Sequence, residues 1–206
     1  MTTEEIARIL SKKTVAIAGC GGLGSNCAVS LSRVGIGTLV IADFDVISES
    51  NLNRQYYFQD QVGQKKVLAL TENIRRINPG VCVIAHDTVL TAENIPLLFA
   101  GCDVIVEAFD QAEQKEILIE TVLERMPGRP LVAGLGMAGW GMNNSIRYQK
   151  TDNLHICGDG VSEISPDLPP LAPRVCMVAN MQANTVLEIL LVKQTASRQD
   201  CESNQG

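Results

Sequence analysis

Histidine is nearly absent, with two in 206 residues, and aromatic side chains make up only 4% of the chain: one Trp, three Tyr and four Phe. So little imidazole leaves almost no material for a His-based triad or a His-rich metal centre. Seven Cys stand at positions 20, 27, 82, 102, 157, 176 and 201, and no two of them form a Cys-x-x-Cys pair. An odd count without that spacing argues against a disulfide framework and against a four-Cys zinc site, so no zinc is expected. No apolar run approaches the roughly 20 residues that span a bilayer. Met1 to Lys13 lacks the continuous apolar core of a secretory signal. The expectation is a cytoplasmic protein without a membrane partner. With 17 Lys and Arg against 23 Asp and Glu, the net charge of -6 offers no basic footprint, so nucleic acid is not expected as a partner.

What is present is a globular composition, 46% hydrophobic and 19% charged with 17 Gly, in a chain of the length of one well-cored domain. A single domain over residues 1–193 with a flexible polar tail over 194–206 follows. Strand and helix patterns alternate along it. Thr14 to Ala18, Leu39 to Ala42, Val81 to Ala85, Val104 to Glu107 and Leu131 to Ala133 are short aliphatic runs. Between them, helical spacing covers Ser25 to Val34, a stretch from about Gln64 to Ile77 stopped by Asn78-Pro79-Gly80, Ala92 to Phe99, and Gln111 to Met126. This order predicts an α/β fold, a Rossmann-like doubly wound and mainly parallel sheet, with its ligand beyond the carboxyl ends of the strands. Asn144 to Tyr148 alternates and predicts an added strand, Gln149 to Leu171 reads as a long irregular loop, and Pro173 opens a long buried last helix reaching about Val192.

Gly19-Cys20-Gly21-Gly22-Leu23-Gly24 lies between the first strand and first core helix, where a GxGxxG pattern lets backbone N–H groups approach phosphates. Asp43 ends the second strand, at the spacing from which a carboxylate meets ribose hydroxyls. These features alone fit an NAD-linked oxidoreductase as well as an ATP-using enzyme. The polar stretch from Asp43 to Gln55 and the pair Lys65-Lys66 favour a triphosphate, because hydride transfer has no need of cations there. On helical geometry Lys65 shares a solvated stripe with Ala69, Glu72 and Arg76. Lys66 shares the buried border with Leu70, Asn73 and Ile77 and is the better candidate to face a site. Asp110, just past the fourth strand, can hold Mg²⁺ through a hard oxygen ligand or cap the following helix.

Gly-x-Gly-Gly-Leu-Gly-Ser at 19–25, Asp-Phe-Asp with Asn-Leu-Asn-Arg-Gln within 43–55, Gly-Gln-Lys-Lys at 63–66, Phe-Asp-Gln at 109–111 and Ala-Pro-Arg-Val at 172–175 together resemble the ThiF/MoeB/HesA family, bacterial relatives of ubiquitin-activating enzymes. The resemblance covers about residues 14–192 and is strongest to its compact ThiF-like members. It implies ATP-dependent adenylation of the C-terminal glycine carboxylate of a small ubiquitin-like sulfur carrier ending in Gly-Gly, in thiamine (thiazole) biosynthesis, by a homodimer. It further implies Gly19, Gly21, Gly22, Gly24, Asp45 and Gln111 around the nucleotide and Asp43 on the ribose. Asn51, Arg54 and Lys66 would address the phosphates, and Asp110 the Mg²⁺, with Arg54, Lys66 and Asp110 as the catalytic set. Cys157, on the expected long loop, is the candidate sulfur-transfer or thioester thiol. The family's trans-acting N-terminal Arg has Arg8 as its only weak counterpart. A family branch that activates a carboxylate on modified tRNA, the threonylcarbamoyladenosine dehydratases, is the alternative within the family.

Overall fold

The computed structural model describes the backbone of residues 1–203 and the side chains of residues 1–192, so the expected flexible tail over 194–206 lies outside the residues fully described. In chain order the elements are α1 (Thr3–Leu10), β1 (Thr14–Ala18), α2 (Gly22–Arg33), β2 (Thr38–Asp43), α3 (Lys66–Ile77), β3 (Cys82–Asp87), α4 (Ile95–Phe99), β4 (Val104–Glu107), α5 (Ala112–Arg125), β5 (Leu131–Gly134), β6 (Arg147–Thr151), β7 (Leu154–Gly158) and α6 (Ala172–Ser203). The strands form a seven-stranded sheet in the order β3-β2-β1-β4-β5-β7-β6. Every pair is parallel except β6 with β7. This is the Rossmann-like α/β architecture expected from the alternating pattern.

The near-continuous aliphatic strands follow from burial on both faces. Successive residues of β1 alternate between two cores: Val15 and Ile17 pack with α2, α3 and α6, whereas Ala16 and Ala18 pack with α4 and α5. β2 divides the same way, with Leu39 and Ile41 on one side and Val40 and Ala42 on the other. The order in which strands are added reverses between β1 and β4, parallel neighbours whose connections leave toward opposite edges, and ligands of such sheets sit in the crevice this creates.

Two expectations need correction. The segment read as an irregular loop contains β7, which inserts between β5 and β6, and the added strand lies at 147–151 rather than 144–148. β7 escaped the pattern because His155 and Gly158 interrupt its five residues, although His155 is buried and its ring accepts or donates at 2.8 Å to the Tyr148 hydroxyl. The second correction concerns apolar length. Ala172–Val192 in α6 is 21 residues with mean hydropathy 1.5, long and apolar enough to cross a membrane by those criteria alone. Its inward face, including Val178, Gln182, Val186 and Leu190, is buried against the sheet and α2, as in a core helix. The opposite face is open, so the helix is two-sided rather than buried all round: Met177 and Val192 are exposed.

The long connection from β5 to α6 is clamped at its end. Arg174 Nη2 donates to Asp159 Oδ2 at 2.5 Å and to Ser145 Oγ at 3.0 Å, and Nη1 donates to the Gly141 carbonyl at 2.7 Å. Both charged side chains are buried, 3% and 0% exposed. Burial opposes ionisation of Asp159, yet N–H donors of Ser162 and Val161, the Ser162 hydroxyl and the guanidinium outweigh it and hold the carboxyl well below its usual 3.8. A depressed carboxyl contributes stability that is present above the unfolded value and lost as pH falls through the folded one. Arg174→Met is therefore expected to destabilise the fold by about 3–5 kcal/mol at neutral pH, by leaving Asp159 buried and unpaired. Urea midpoints across pH 2–7 check this: the difference between variant and wild type should shrink toward the acid end, and a pH-independent difference would contradict it.

Candidate active site

The glycine loop between β1 and α2 takes its shape from two contacts. Gly19 has φ +92°, and a Cβ there would lie 2.9 Å from the Ala108 carbonyl oxygen; a Cβ on Gly24 would lie 1.8 Å from the carbonyl oxygen of Gly19. Only glycine permits this turn. The N-cap of α2 is Gly21, which brings no side chain to its first-turn N–H groups. Those donors and the helix's positive end are left for an anion.

Asp43, at the end of β2, closes the loop from the next strand. Its carboxylate accepts the Cys20 N–H at 2.6 Å and the Asp45 N–H at 2.8 Å. Burial raises its pKa, while Lys66 and these two N–H groups pull it back. The carboxylate thus stands at the cleft with one bond already on each oxygen and room for another.

The segment after Asp43 is fastened to the glycine loop by side chains. Tyr57 donates its hydroxyl to the Cys20 carbonyl at 2.8 Å, and Asn26 donates to the carbonyls of Gly22 at 2.7 Å and Arg54 at 2.9 Å. Gln61 and Asn73 exchange two amide bonds at 2.8 and 3.0 Å, and Asn73 also donates to the Tyr56 carbonyl. Held this way, Arg54 and Gln55 reach the cleft. Arg54 uses Nη1 on Ser50 and Asn53, leaving the rest of its fork for an anion. Gln55 is 8% exposed and its Oε1 has no hydrogen-bond partner among the described residues, an orphaned acceptor on the cleft wall.

The two lysines diverge. Lys65 is half-buried and pairs with Asp87 at 3.0 Å, whereas Lys66 is 6% exposed and donates to Asp45 Oδ2 at 2.6 Å. Across the cleft, Asp110 and Gln111 follow β4. The N-cap of α5 is Gln111, and no side chain caps that helix, so Asp110 performs no capping. Its carboxylate is exposed and carries no hydrogen bond among the described residues.

The structure gathers Gly19, Gly21, Gly22, Asp43, Asp45, Arg54, Lys66, Asp110 and Gln111 around one cleft of about 820 Å³, part of it open to solvent. Four candidates fall elsewhere. Gly24 packs under the loop and does not line the cleft. Asn51 turns its amide oxygen to the Ser48 N–H at 3.0 Å and is absent from the lining. Cys157 lies in β7 rather than on a loop, fully buried, 3.6 Å from the Thr185 hydroxyl, and burial pushes its thiol up. A thiol so placed is a poor thiolate. Arg8 is exposed on α1, away from the lining. Gln55 and Asn26 were not singled out; Gln55 sits in the Asn-Arg-Gln run, but nothing in the letters marks its amide as buried.

A mainly parallel sheet carrying a glycine loop at its switch point, with an acid ending the second strand and two cations on the same cleft, defines a Rossmann-like domain. The ThiF family model matches residues 2–204, and the chain belongs to the ThiF family. It is 30% identical over 193 residues to the adenylyltransferase and sulfurtransferase MOCS3 of Caenorhabditis briggsae, which covers 87% of this chain and 46% of that protein. It is 37% identical over 128 residues to the SAMP-activating enzyme E1 of Haloferax volcanii, covering 62% of this chain and 46% of that one. The chain thus spans less than half the length of these relatives. Its fold is similar to that of the E. coli tRNA N6-threonylcarbamoyladenosine dehydratase in complex with ATP, at TM-score 0.84 and 22% identity over 95% of this chain and 92% of that one.

Thiol exposure gives a direct check. In the native protein iodoacetamide should label Cys82, which is exposed, ahead of Cys176, and should reach Cys157 and Cys27 only after denaturation. Peptide mapping reads the order, and native labelling of Cys157 would contradict its placement.

Proposed function

We propose that the chain activates the C-terminal glycine carboxylate of a small ubiquitin-like sulfur carrier with ATP, forming an acyl-adenylate and releasing pyrophosphate. The carrying observation is that Lys66 and Arg54 line the same cleft as the glycine loop and Asp43. The names of the relatives above, adenylyltransferase and activating enzyme, support this reading. Thiazole formation in thiamine biosynthesis is the route favoured by the likeness to compact ThiF-like members, and a homodimer remains part of the proposal.

In the proposed reaction a carboxylate oxygen attacks the α-phosphorus, the bond to the β-phosphate bridging oxygen breaks, and its electrons leave with pyrophosphate. No general base is required, because the nucleophile is ionised at neutral pH. The glycine loop's N–H groups receive the phosphates, and Asp43 orients the ribose. Arg54 binds phosphoryl oxygens through its fork. Lys66, released from Asp45, adds a point charge where negative charge accumulates. Asp110, an unpartnered carboxylate on the same cleft, fits a hard cation, and Mg²⁺ bound there would offset the charge of the leaving group. Gln55 Oε1 is placed to accept a bond from a ligand donor.

Lys66→Ala or Arg54→Ala is expected to lower carrier-dependent ATP–pyrophosphate exchange by about 10²–10³-fold with the thermal midpoint little changed. Wild-type exchange in both variants would remove them from the mechanism. Exchange that responds to tRNA and to none of a panel of Gly-Gly carriers would replace the carrier reading with the tRNA one.

A further inference from the structure

Beneath the Asp110 turn lies an ion pair that the proposed reaction does not use. Glu107, the last residue of β4, is 0% exposed. Its Oε1 accepts the Phe109 N–H at 2.7 Å, and its Oε2 accepts the ammonium of Lys115, which also donates to the Gly134 carbonyl at 2.8 Å. One pair thereby joins the ends of β4 and β5, the first turn of α5 and the backbone of the turn between them. That turn leans on the glycine loop, where a Cβ at Gly19 would meet Phe109 Cδ1 at 3.2 Å.

Among the described residues the Asp110 carboxylate has no hydrogen bond or ion pair, and the N-cap of α5 makes no side-chain bond to fix the turn locally. What orders the turn is the bond from Phe109 N–H to a buried carboxylate two residues before it. A buried ion pair is on balance no better for stability than apolar side chains of similar size, because desolvation offsets its attraction. Apolar residues at 107 and 115 would pack the same space but leave the Phe109 N–H without an acceptor.

We infer that Glu107 and Lys115 are positioning residues, which hold the Phe109–Gln111 turn so that the Asp110 carboxylate faces the cleft where a cation bound with nucleotide phosphates would sit. The inference rests on the proposed adenylation reading and concerns how its cation is oriented. Lys115 and Glu107 touch neither nucleotide nor metal, so their loss should act on the cation-dependent part of binding and spare the glycine-loop part. Removal of an outer-shell partner of this kind commonly costs 10–100-fold in metal affinity or activity.

Calorimetric titration of the full chain with ATP, with and without Mg²⁺, and with AMP tests this. In Lys115→Met the gain in ATP affinity that Mg²⁺ confers should fall by about tenfold or more, AMP affinity should stay within about threefold, and Lys115→Arg should restore the gain. If Lys115→Met does not fold, Glu107→Asp, which keeps the charge and shortens its reach, is read the same way. A wild-type Mg²⁺ gain in the variant, or parallel losses of AMP and ATP binding, would overturn the inference and leave the adenylation reading standing. Failure of the wild-type chain to bind ATP would overturn both.

Discussion

An ammonium group almost out of water, at the carboxyl edge of a sheet, is the constraint on which the site depends. Lys66 is 6% exposed, and the carboxylate that neutralises it, on Asp45, is about half exposed. Sequestering a cation is costly unless a charge of opposite sign accompanies it. Here the partner stands half in solvent, so another anion can take its place without moving the backbone that carries the charge. Lys66 begins α3, so its position is set by a twelve-residue helix packed through Val67, Leu70 and Ile74 into the larger core. The site's charge is built on rigid structure, and only the counterion is free to change.

The rest of the cleft follows from fastening irregular chain to that frame. The residues between β2 and α3 form no long helix or strand, and they are ordered by amide and hydroxyl bonds from Asn26, Tyr57, Gln61 and Asn73. On the other flank, the Arg174–Asp159 pair pins the connection whose Met137, Ile164 and Pro170 reach the cleft. Below, Glu107 and Lys115 secure the Asp110 turn. Buried polar bonds of this kind contribute more to position than to stability, since breaking them is costly while forming them gains little over water. Chemistry that needs aligned charges and no proton transfer suits such a site, and a chain with two His loses nothing by it.

Much of this was legible in the letters, and the parts that were not have physical reasons. The parallel core was readable because β1, β2 and β4 are buried on both faces and must be aliphatic throughout. Glycine spacing revealed the loop, since steric closeness at Gly19 and Gly24 admits no other residue. The split between Lys65 and Lys66 was visible from helical periodicity, although Ala69, placed on the solvated stripe with Lys65, is buried. The added strand β6 was expected but placed three residues early, because this exposed edge strand has no apolar alternation of its own, and β7 was missed because it carries its buried His155 as a polar letter. Asn51 misled because Asn at a turn is as often consumed by the backbone as offered to a ligand, and here it is. Glu107 left one signal, an acid closing an otherwise aliphatic run, but pairing it with Lys115 required the turn between β4 and α5 to be seen. Cys157 was misplaced with the strand that contains it.

A structure of the chain with ATP bound tests the central claim most directly. The account predicts that Lys66 Nζ leaves Asp45 and comes within hydrogen-bond distance of a phosphate oxygen, with Arg54 beside it and the ribose at Asp43. An ATP molecule seated with its phosphates elsewhere, and Lys66 still paired to Asp45, would contradict it.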